Sequence, residues 1–387
     1  MERSIIMKAL LILSILFTHG LLLCQVDLVD TFRRLYHDEK YDVIINYEKS
    51  DYEILSAKAI YYRAMSHYMK SEDALALELF DLAIELGPVD HDMFYYKGMT
   101  HYYLDENDPA LTFIDKAISL LPDEPAFYAS KGDVYYKLEE IDSARVYFEK
   151  ATVLPSHDTR VLLSLGEIYQ YQNQIEKALG AYQAAMDELS IADDLHQNCS
   201  YNLSLMQYLV GDFEKAKFGL QQHVKLYADD YHAVAKLIQA HYALAEYDES
   251  QQYRDLLYDA YESNVLPDQM KDMFCFDQFM WDDRLIMVFE NFDESEESLI
   301  EKHQFFILDE DGKTDYKIAS ESSFATRLDK ANKKYVLGLT KDGVHSTFWD
   351  YRFNDDLNYP ELKEAVLDIL NQKVKPRSKF VPLSDKN

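Results

Sequence analysis

The 387-residue chain contains 69 Asp and Glu residues against 39 Lys and Arg, which gives a formal net charge of −30. This excess of acid argues against a nucleic-acid binder, since such proteins neutralise phosphates with Lys and Arg, and against a polybasic membrane-surface binder. Three cysteines are too few for a disulfide scaffold or a four-cysteine zinc site. Glycine (11) and proline (9) together reach only about half of their usual share, which favours long helices over a turn-rich β protein.

Residues 1–24 have the layout of a secretory signal peptide. A short basic segment with Arg3 and Lys8 precedes the apolar run Ala9–Phe17, and a polar, acidic chain begins after Cys24. We therefore expect an exported protein of the periplasm, the cell envelope or the extracellular space. Cleavage after Cys24, lipidation of Cys24 and retention of the segment as an uncleaved anchor all remain open. No later stretch approaches the ~18–20 apolar residues of a membrane span, so membrane association is expected only through this N-terminus.

The middle of the chain repeats with a period of 34 residues. Alanines recur at this spacing at Ala76, Ala110, Ala144 and Ala178. Small residues stand twelve positions earlier, at Ala64, Gly98, Gly132 and Gly166, and further alanines stand seven positions later, at Ala83, Ala117, Ala151 and Ala185. Large apolar residues lie between the two sets of alanines, at Phe80, Ile114, Phe148 and Tyr182. Two helices cross closely only where their side chains are small, while a bulky residue fills the remaining space, so the pattern predicts repeated helix pairs.

This pattern resembles the tetratricopeptide repeat, with its small residue at position 8, alanines at 20 and 27 and a large apolar residue at 24. The resemblance implies a mainly α fold, a right-handed α-solenoid of about six to seven helix pairs over residues 25–265. Four clear repeats start near Ala57, His91, Pro125 and Thr159, and two weaker repeats start near Gln197 and Tyr231. A degenerate helix pair over Asp27–His37 and Tyr41–Lys49 is expected to cap the array.

In the family that the chain resembles, positions 2, 5, 9, 12 and 13 of each first helix line a concave groove. Tyrosine dominates position 12 and recurs at positions 5 and 13, at Tyr61, Tyr68, Tyr95, Tyr102, Tyr103, Tyr136, Tyr171, Tyr201, Tyr208 and Tyr242. Tyrosine offers a large, stiff contact area and a hydroxyl at low entropic cost. We therefore interpret these ten residues as a groove that binds a protein or peptide partner. The alternative, in which the rings only pack against neighbouring repeats, remains open.

Charged residues at the same positions argue against the clamp with which some members of the family hold a C-terminal carboxylate. Position 9 carries Asp133 and Glu167, which would repel a carboxylate, and the cations Lys58, Lys137 and Arg160 are isolated. The groove is therefore expected to bind a neutral or basic peptide with affinity for aromatic side chains.

The last hundred residues predict a different domain, a small α+β module over residues 266–371. About five antiparallel strands are expected, at Leu285–Phe289, Gln304–Leu308, Tyr316–Ser320, Tyr335–Thr340 and Val344–Tyr351. Hairpin turns are expected around Gly312 and Gly343, and Asn358 is expected to begin a helix with one apolar face. This part resembles no named family, and the basic segment 372–387 is predicted to be disordered.

Catalytic motifs are absent from the sequence, which has no nucleophile elbow, zinc-protease helix or phosphate loop. We expect no cofactor and no metal, and Asp309-Glu310-Asp311-Gly312 is interpreted as a turn rather than a calcium loop because it lacks the closing Glu. His345, Trp349 and Tyr351 alternate along one strand and, with Trp281, are expected to form an aromatic sheet face, with a pocket as the alternative.

The favoured interpretation is an exported protein-interaction scaffold without catalytic activity. The alternative is an enzyme whose site lies in the C-terminal domain, with the repeats presenting the substrate. This alternative requires His303, His345 and nearby carboxylates to converge in space. A structural envelope subunit that uses the convex face is a third possibility.

Overall fold

The computed structural model describes residues 28–47, 56–87, 90–292, 303–309, 312–320, 334–341, 344–352, 358–373 and 378–379. For residues 315–316, 319–320, 334–341, 344–352 and 378–379, the description covers the backbone only. The expected signal peptide, residues 310–311 and 342–343 of the expected hairpin turns and most of the basic tail lie outside the described residues.

The chain divides into two compact units, Met1–Glu188 and Leu189–Asn387. The predicted boundary near residue 265 does mark the change from helices to strands. The division nevertheless falls earlier, after the fourth repeat, because the fifth and sixth repeats share one hydrophobic core with the sheet.

The first unit is built from consecutive helix pairs. Helix α1 covers residues 28–37, and the following helices are α2 (Tyr41–Ile45), α3 (Ala57–Met69), α4 (Asp73–Leu86), α5 (His91–Tyr103), α6 (Asn107–Leu120), α7 (Pro125–Lys137), α8 (Ile141–Thr152), α9 (Thr159–Tyr171) and α10 (Ile175–Glu188). The pairs α3/α4 to α9/α10 are repeats one to four, and each first helix begins at the predicted residue. The residue before it accepts a backbone hydrogen bond and caps the helix in each case, at Ser56, Asp90, Glu124 and Asp158.

The small residue at position 8 is required by the large residue at position 24 of the same repeat. A Cβ atom on Gly132 would lie 2.6 Å from the ring of Phe148, and one on Gly166 would lie 2.6 Å from the ring of Tyr182. Both rings are almost fully buried. The crossing of the two helices therefore depends on the glycine, as the periodic pattern predicts.

A second recurring contact joins consecutive repeats. Lys131 in α7 is buried and pairs with Asp115 of the preceding repeat at 2.5 Å, while its ammonium lies 4.5 Å from the ring centroid of Tyr147. One repeat earlier, Lys97 pairs in the same way with Asp81. A buried ammonium is stable only with such a partner, so these lysines fix the register between repeats.

The second unit contains two further helix pairs and an antiparallel sheet. Its helices are α11 (His196–Leu209), α12 (Phe213–Leu226), α13 (Tyr231–Ala243) and α14 (Gln251–Glu262), so that α11/α12 and α13/α14 are the fifth and sixth repeats, followed by a 3₁₀ turn over Asp268–Met270. The strands are β1 (Met273–Trp281), β2 (Arg284–Asn291), β3 (His303–Leu308), β4 (Thr314–Ser320), β5 (Lys334–Lys341), β6 (Val344–Arg352) and β7 (Ser378–Lys379), and helix α15 (Tyr359–Leu370) precedes β7.

The described strands form one sheet in chain order, with every neighbouring pair antiparallel. The five predicted strands correspond to β2–β6, and the helix after Asn358 is confirmed as α15, with a capping box between Asn358 and Glu361. The sheet has two strands more than expected. β1 was not predicted, because Asp277 and Gln278 interrupt its apolar pattern. β7 lies within the segment that was predicted to be disordered and pairs with β6.

Candidate functional site

The ten tyrosines of the predicted groove divide into three classes by exposure. Tyr103, Tyr136 and Tyr171 are 57%, 47% and 81% exposed. The half-buried members are Tyr68, Tyr95, Tyr102 and Tyr201, and the buried ones are Tyr61, Tyr208 and Tyr242. The three exposed rings all belong to the second, third and fourth repeats.

Half-buried tyrosines of the first unit are held in place by the next repeat. The Tyr95 hydroxyl lies 2.9 Å from the Ser130 hydroxyl, and the Lys137 ammonium lies 4.5 Å from the ring centroid of Tyr102. Burial is the main cause that raises the pKa of Tyr95 and of Tyr102, so both hydroxyls stay protonated at neutral pH. This part of the face is thus ordered before any partner arrives.

The three cations at groove positions are all paired with carboxylates of this chain. Lys58 lies 2.5 Å from Asp90, Lys137 pairs with Asp105, and Arg160 lies 3.3 Å from Asp133.

Burial raises the pKa of Asp133, although the positive charge of Arg160 acts in the opposite direction. A carboxylate from a partner could pair with Lys58, Lys137 or Arg160 only by displacing the carboxylate of this chain that already pairs with that cation. This agrees with the expectation that no carboxylate clamp is present.

A pocket of about 330 Å³ lies between the third and fourth repeats. Its lining combines two exposed tyrosines, two glutamates and two isoleucines: Tyr136, Glu139, Ile141, Glu167, Ile168 and Tyr171. Tyr136, Glu167 and Tyr171 occupy groove positions 12, 9 and 13, so the pocket opens at the predicted groove. The sequence pattern identified these three residues but did not indicate that they meet in one cavity.

In the sixth repeat, the corresponding face is covered by the first strand of the sheet. Nε2 of Gln239, at position 9, donates to the carbonyl oxygen of Cys275 in β1 at 2.8 Å. The ring of Tyr242, at position 12, lies 5.0 Å from that of Phe276 and 5.2 Å from that of Tyr359. Tyr242 is therefore only 4% exposed and packs in the core of its own unit instead of lying open to a partner.

The enzyme alternative is tested in part by the surroundings of His303. Its Nε2 lies 3.7 Å from Oε2 of Glu290. The other carboxylate oxygen of Glu290, Oε1, accepts hydrogen bonds from Arg254 at 2.6 Å and from Tyr258 at 2.7 Å. His303 thus lies close to one carboxylate, that of Glu290, but both residues are only 1% exposed. The side chain of His345 lies outside the described part, as do those of Trp349 and Tyr351. The cluster is a buried charge network with no substrate access among the described residues.

A Ser–His–Asp arrangement that the sequence analysis did not identify lies in the fifth repeat. Nδ1 of His223 is 2.7 Å from the Ser200 hydroxyl, and its Nε2 is 3.0 Å from Asp230. His223 is 1% exposed and takes the place of the helix-crossing alanine at position 27. Asp230 caps α13 by accepting from the backbone N–H of Ala233, and the Ser200 hydroxyl donates to the carbonyl of Gln197. These bonds tie together three helices and give the hydroxyl a structural partner.

Within the described ranges, three or more His, Cys, Asp or Glu side chains nowhere gather as they would around a metal ion. None of the helices described has both the length and the apolar character of a membrane span.

Comparison with known proteins supports the repeat assignment. Residues 125–154 match the tetratricopeptide repeat family model. No curated protein matches the sequence. Among solved structures, the chain is similar to YrrB, described as a TPR protein with an unusual peptide-binding site, at 20% identity over 50% of this chain and 96% of that one, with a TM-score of 0.42.

Two further solved structures show similar levels of likeness. The C-terminal part of a TPR repeat-containing protein from Cytophaga hutchinsonii is 17% identical over 62% of this chain and 96% of its own, with a TM-score of 0.47. MamA from Desulfovibrio magneticus RS-1 is 22% identical over 45% of this chain and 96% of its own, with a TM-score of 0.38.

Proposed function

The chain contains tetratricopeptide repeats, and from this premise we propose that it is a protein-interaction scaffold that binds a peptide segment on the groove face of its first four repeats. The observation that carries the proposal is the exposure of Tyr103, Tyr136 and Tyr171 at groove positions. Aromatic rings that remain exposed to water do not stabilise the solenoid by burial, and exposed apolar surface of this kind is typical of interaction sites. Tyrosine is enriched in recognition surfaces because it combines contact area with a hydroxyl.

The charge of the groove selects the kind of segment. Asp133 and Glu167 lie at position 9, the three groove cations are already paired, and the whole chain carries a net charge of −30. A neutral or basic segment is favoured by this arrangement, and an acidic one is disfavoured. Binding then consists of burial of aromatic area and hydrogen bonding, without bond chemistry.

The test uses the whole chain, because a chain cut near residue 265 would expose Tyr242 and the core that it shares with β1. A partner is first identified by crosslinking in its native extract, and its affinity is then measured for a variant with Tyr102→Ala and Tyr136→Ala. We expect at least tenfold weaker binding, about 1.4 kcal/mol.

The matched control is Phe218→Ala, which removes a 64% exposed ring from α12, a second helix of a pair. An unchanged affinity of the double variant, with folding intact by circular dichroism, would contradict the proposal. Equal losses in the double variant and the control would also contradict it, since the effect would then not be specific to the groove.

We also propose that the chain is exported, on the basis of the basic and apolar pattern of residues 1–24. Mass spectrometry of the N-terminus of the protein isolated from its host distinguishes the three outcomes. A chain that begins at Gln25 indicates cleavage, a lipid on Cys24 indicates lipidation, and an intact Met1 or Met7 in the membrane fraction indicates an uncleaved anchor. An intact N-terminus with the chain in the cytoplasm would refute export.

A further inference from the structure

The pocket between the third and fourth repeats has the composition of a cation-binding site. It is lined by the exposed rings of Tyr136 and Tyr171 and by the carboxylates of Glu139 and Glu167. The face of an aromatic ring attracts a cation through its quadrupole, and two carboxylates add Coulomb attraction. An anion would meet repulsion from both kinds of group.

The pocket lining itself carries no basic residue. The six lining residues, all within the described part of the chain, include no Lys or Arg. Lys137 directly follows Tyr136, but its ammonium donates to the carbonyl of Tyr102 at 2.9 Å and pairs with Asp105 in the second repeat. The ammonium of Lys137 is therefore engaged in the second repeat.

The dimensions suit a single side chain. The volume of about 330 Å³ is at the lower end of the range for small-ligand pockets, roughly 300–1,000 Å³. Ile141 and Ile168 complete the lining, and apolar walls of this kind can accommodate the methylene stem of a long side chain while its charged head reaches the carboxylates.

We propose that this cavity, the cation pocket, binds a Lys or Arg side chain of the segment that lies in the groove. The inference rests on the proposed groove function and goes beyond it by naming one residue class in the ligand and its position, between the third and fourth repeats. Charge complementarity selects this occupant, since the pocket and the chain as a whole are both acidic.

The experiment uses the whole chain with 3-fluorotyrosine at position 136 and follows the ¹⁹F resonance during titration. The probes are N-acetyl-arginine amide and N-acetyl-citrulline amide, which have nearly the same shape but differ in charge. We expect a saturable shift with the arginine probe and at least tenfold weaker binding of the citrulline probe. Tyr171→Leu and Glu167→Gln should each weaken the arginine probe at least fivefold.

Tyr103→Leu is the matched control, because Tyr103 is also an exposed tyrosine at position 13 but lies outside the pocket lining. It should leave binding of the arginine probe unchanged. Equal binding of both probes would overturn the preference for a cation, and no saturable shift with either would overturn the pocket. Thermal unfolding of each variant by circular dichroism separates loss of the site from loss of the fold.

Failure of this inference can be distinguished from failure of the groove proposal. If Tyr102→Ala alone, which leaves the pocket lining intact, weakens binding of the identified partner while the arginine probe does not bind, the scaffold stands and the cation pocket is refuted. If the arginine probe binds but does not compete with the partner, the link between pocket and groove is overturned.

Discussion

Neutralising Glu290 should destabilise the Leu189–Asn387 unit selectively. Its carboxylate is buried in β2 against Arg254, Tyr258 and His303. Burial alone would raise the pKa of this carboxyl, but the neighbouring His303 and the positive charge of Arg254 outweigh it and lower the pKa to about 2.

The sign of the pH dependence follows from this direction. The folded-state pKa of Glu290 lies below the ordinary value of 4.5, so the ionised form contributes its full stability above pH 4.5 and loses it as the pH falls towards 2. A difference of about 2.5 pH units corresponds to about 3 kcal/mol. In Glu290→Gln this titration is absent, and the buried guanidinium of Arg254 loses its charge partner, which costs about 3–5 kcal/mol at pH 7.

Tryptophan fluorescence reports on this unit alone, because both tryptophans of the chain, Trp281 and Trp349, belong to it. Urea unfolding is measured at pH 7, 4.5 and 3 for the natural chain, for Glu290→Gln and for Glu262→Gln, an exposed control at the end of α14. Between pH 4.5 and 3, Glu290→Gln should lose about 2 kcal/mol less than the other two proteins. Identical pH slopes in all three would refute the assignment of a depressed pKa to Glu290.

Two glycines and one hydrogen bond give further predictions. Gly132→Ala should destabilise the first unit by about 1–3 kcal/mol, because the new Cβ meets the Phe148 ring. Gly180→Ala, where the space is open, should instead stabilise the first unit by up to about 1 kcal/mol. Hydrogen exchange of the helix amides measures the change in stability of both variants, and changes of the same sign would contradict the packing argument. Tyr359→Phe removes the hydrogen bond to the buried Asp277 and should cost about 1.5–3 kcal/mol in urea unfolding followed by tryptophan fluorescence; an unchanged midpoint would show that this bond contributes nothing net.

The helical repeats could be predicted from the sequence because their packing rule is local. Position 8 must be small where position 24 is large, and both residues belong to one repeat of 34 residues. The same spacing therefore locates the first helices of repeats one to four. The fifth repeat begins four residues later than this period requires, and its first helix starts at His196, one residue before the expected Gln197.

The turn geometry was not predicted. Position 15 adopts a positive φ at Ser71, Asp105, Glu139 and Asn173, although none of them is glycine. The backbone hydrogen bonds of the two flanking helices hold these residues in the left-handed region of φ/ψ space.

Strand β1 and the state of each tyrosine could not be predicted, since both depend on contacts between distant residues. Asp277 is tolerated inside β1 because Lys363, 86 residues later, lies 2.7 Å from it and Tyr359 donates to it. Tyr136 and Tyr242 share position 12, yet one is 47% exposed and the other 4%. The repeat pattern specifies where a ring lies on its helix, but only the fold determines what covers it.

The sixth repeat shows which contacts its groove positions make when a segment of the chain, strand β1, lies across them. Gln239 at position 9 donates to a backbone carbonyl of β1, and Tyr242 at position 12 packs against the ring of Phe276. The third repeat keeps the tyrosine at position 12, as Tyr136, but replaces the amide donor with the carboxylate of Asp133. A carboxylate accepts hydrogen bonds and cannot donate them. A segment bound at the third repeat should therefore present donors, an N–H group or a cationic side chain, where β1 presents a carbonyl. This agrees with the acidic lining of the neighbouring pocket.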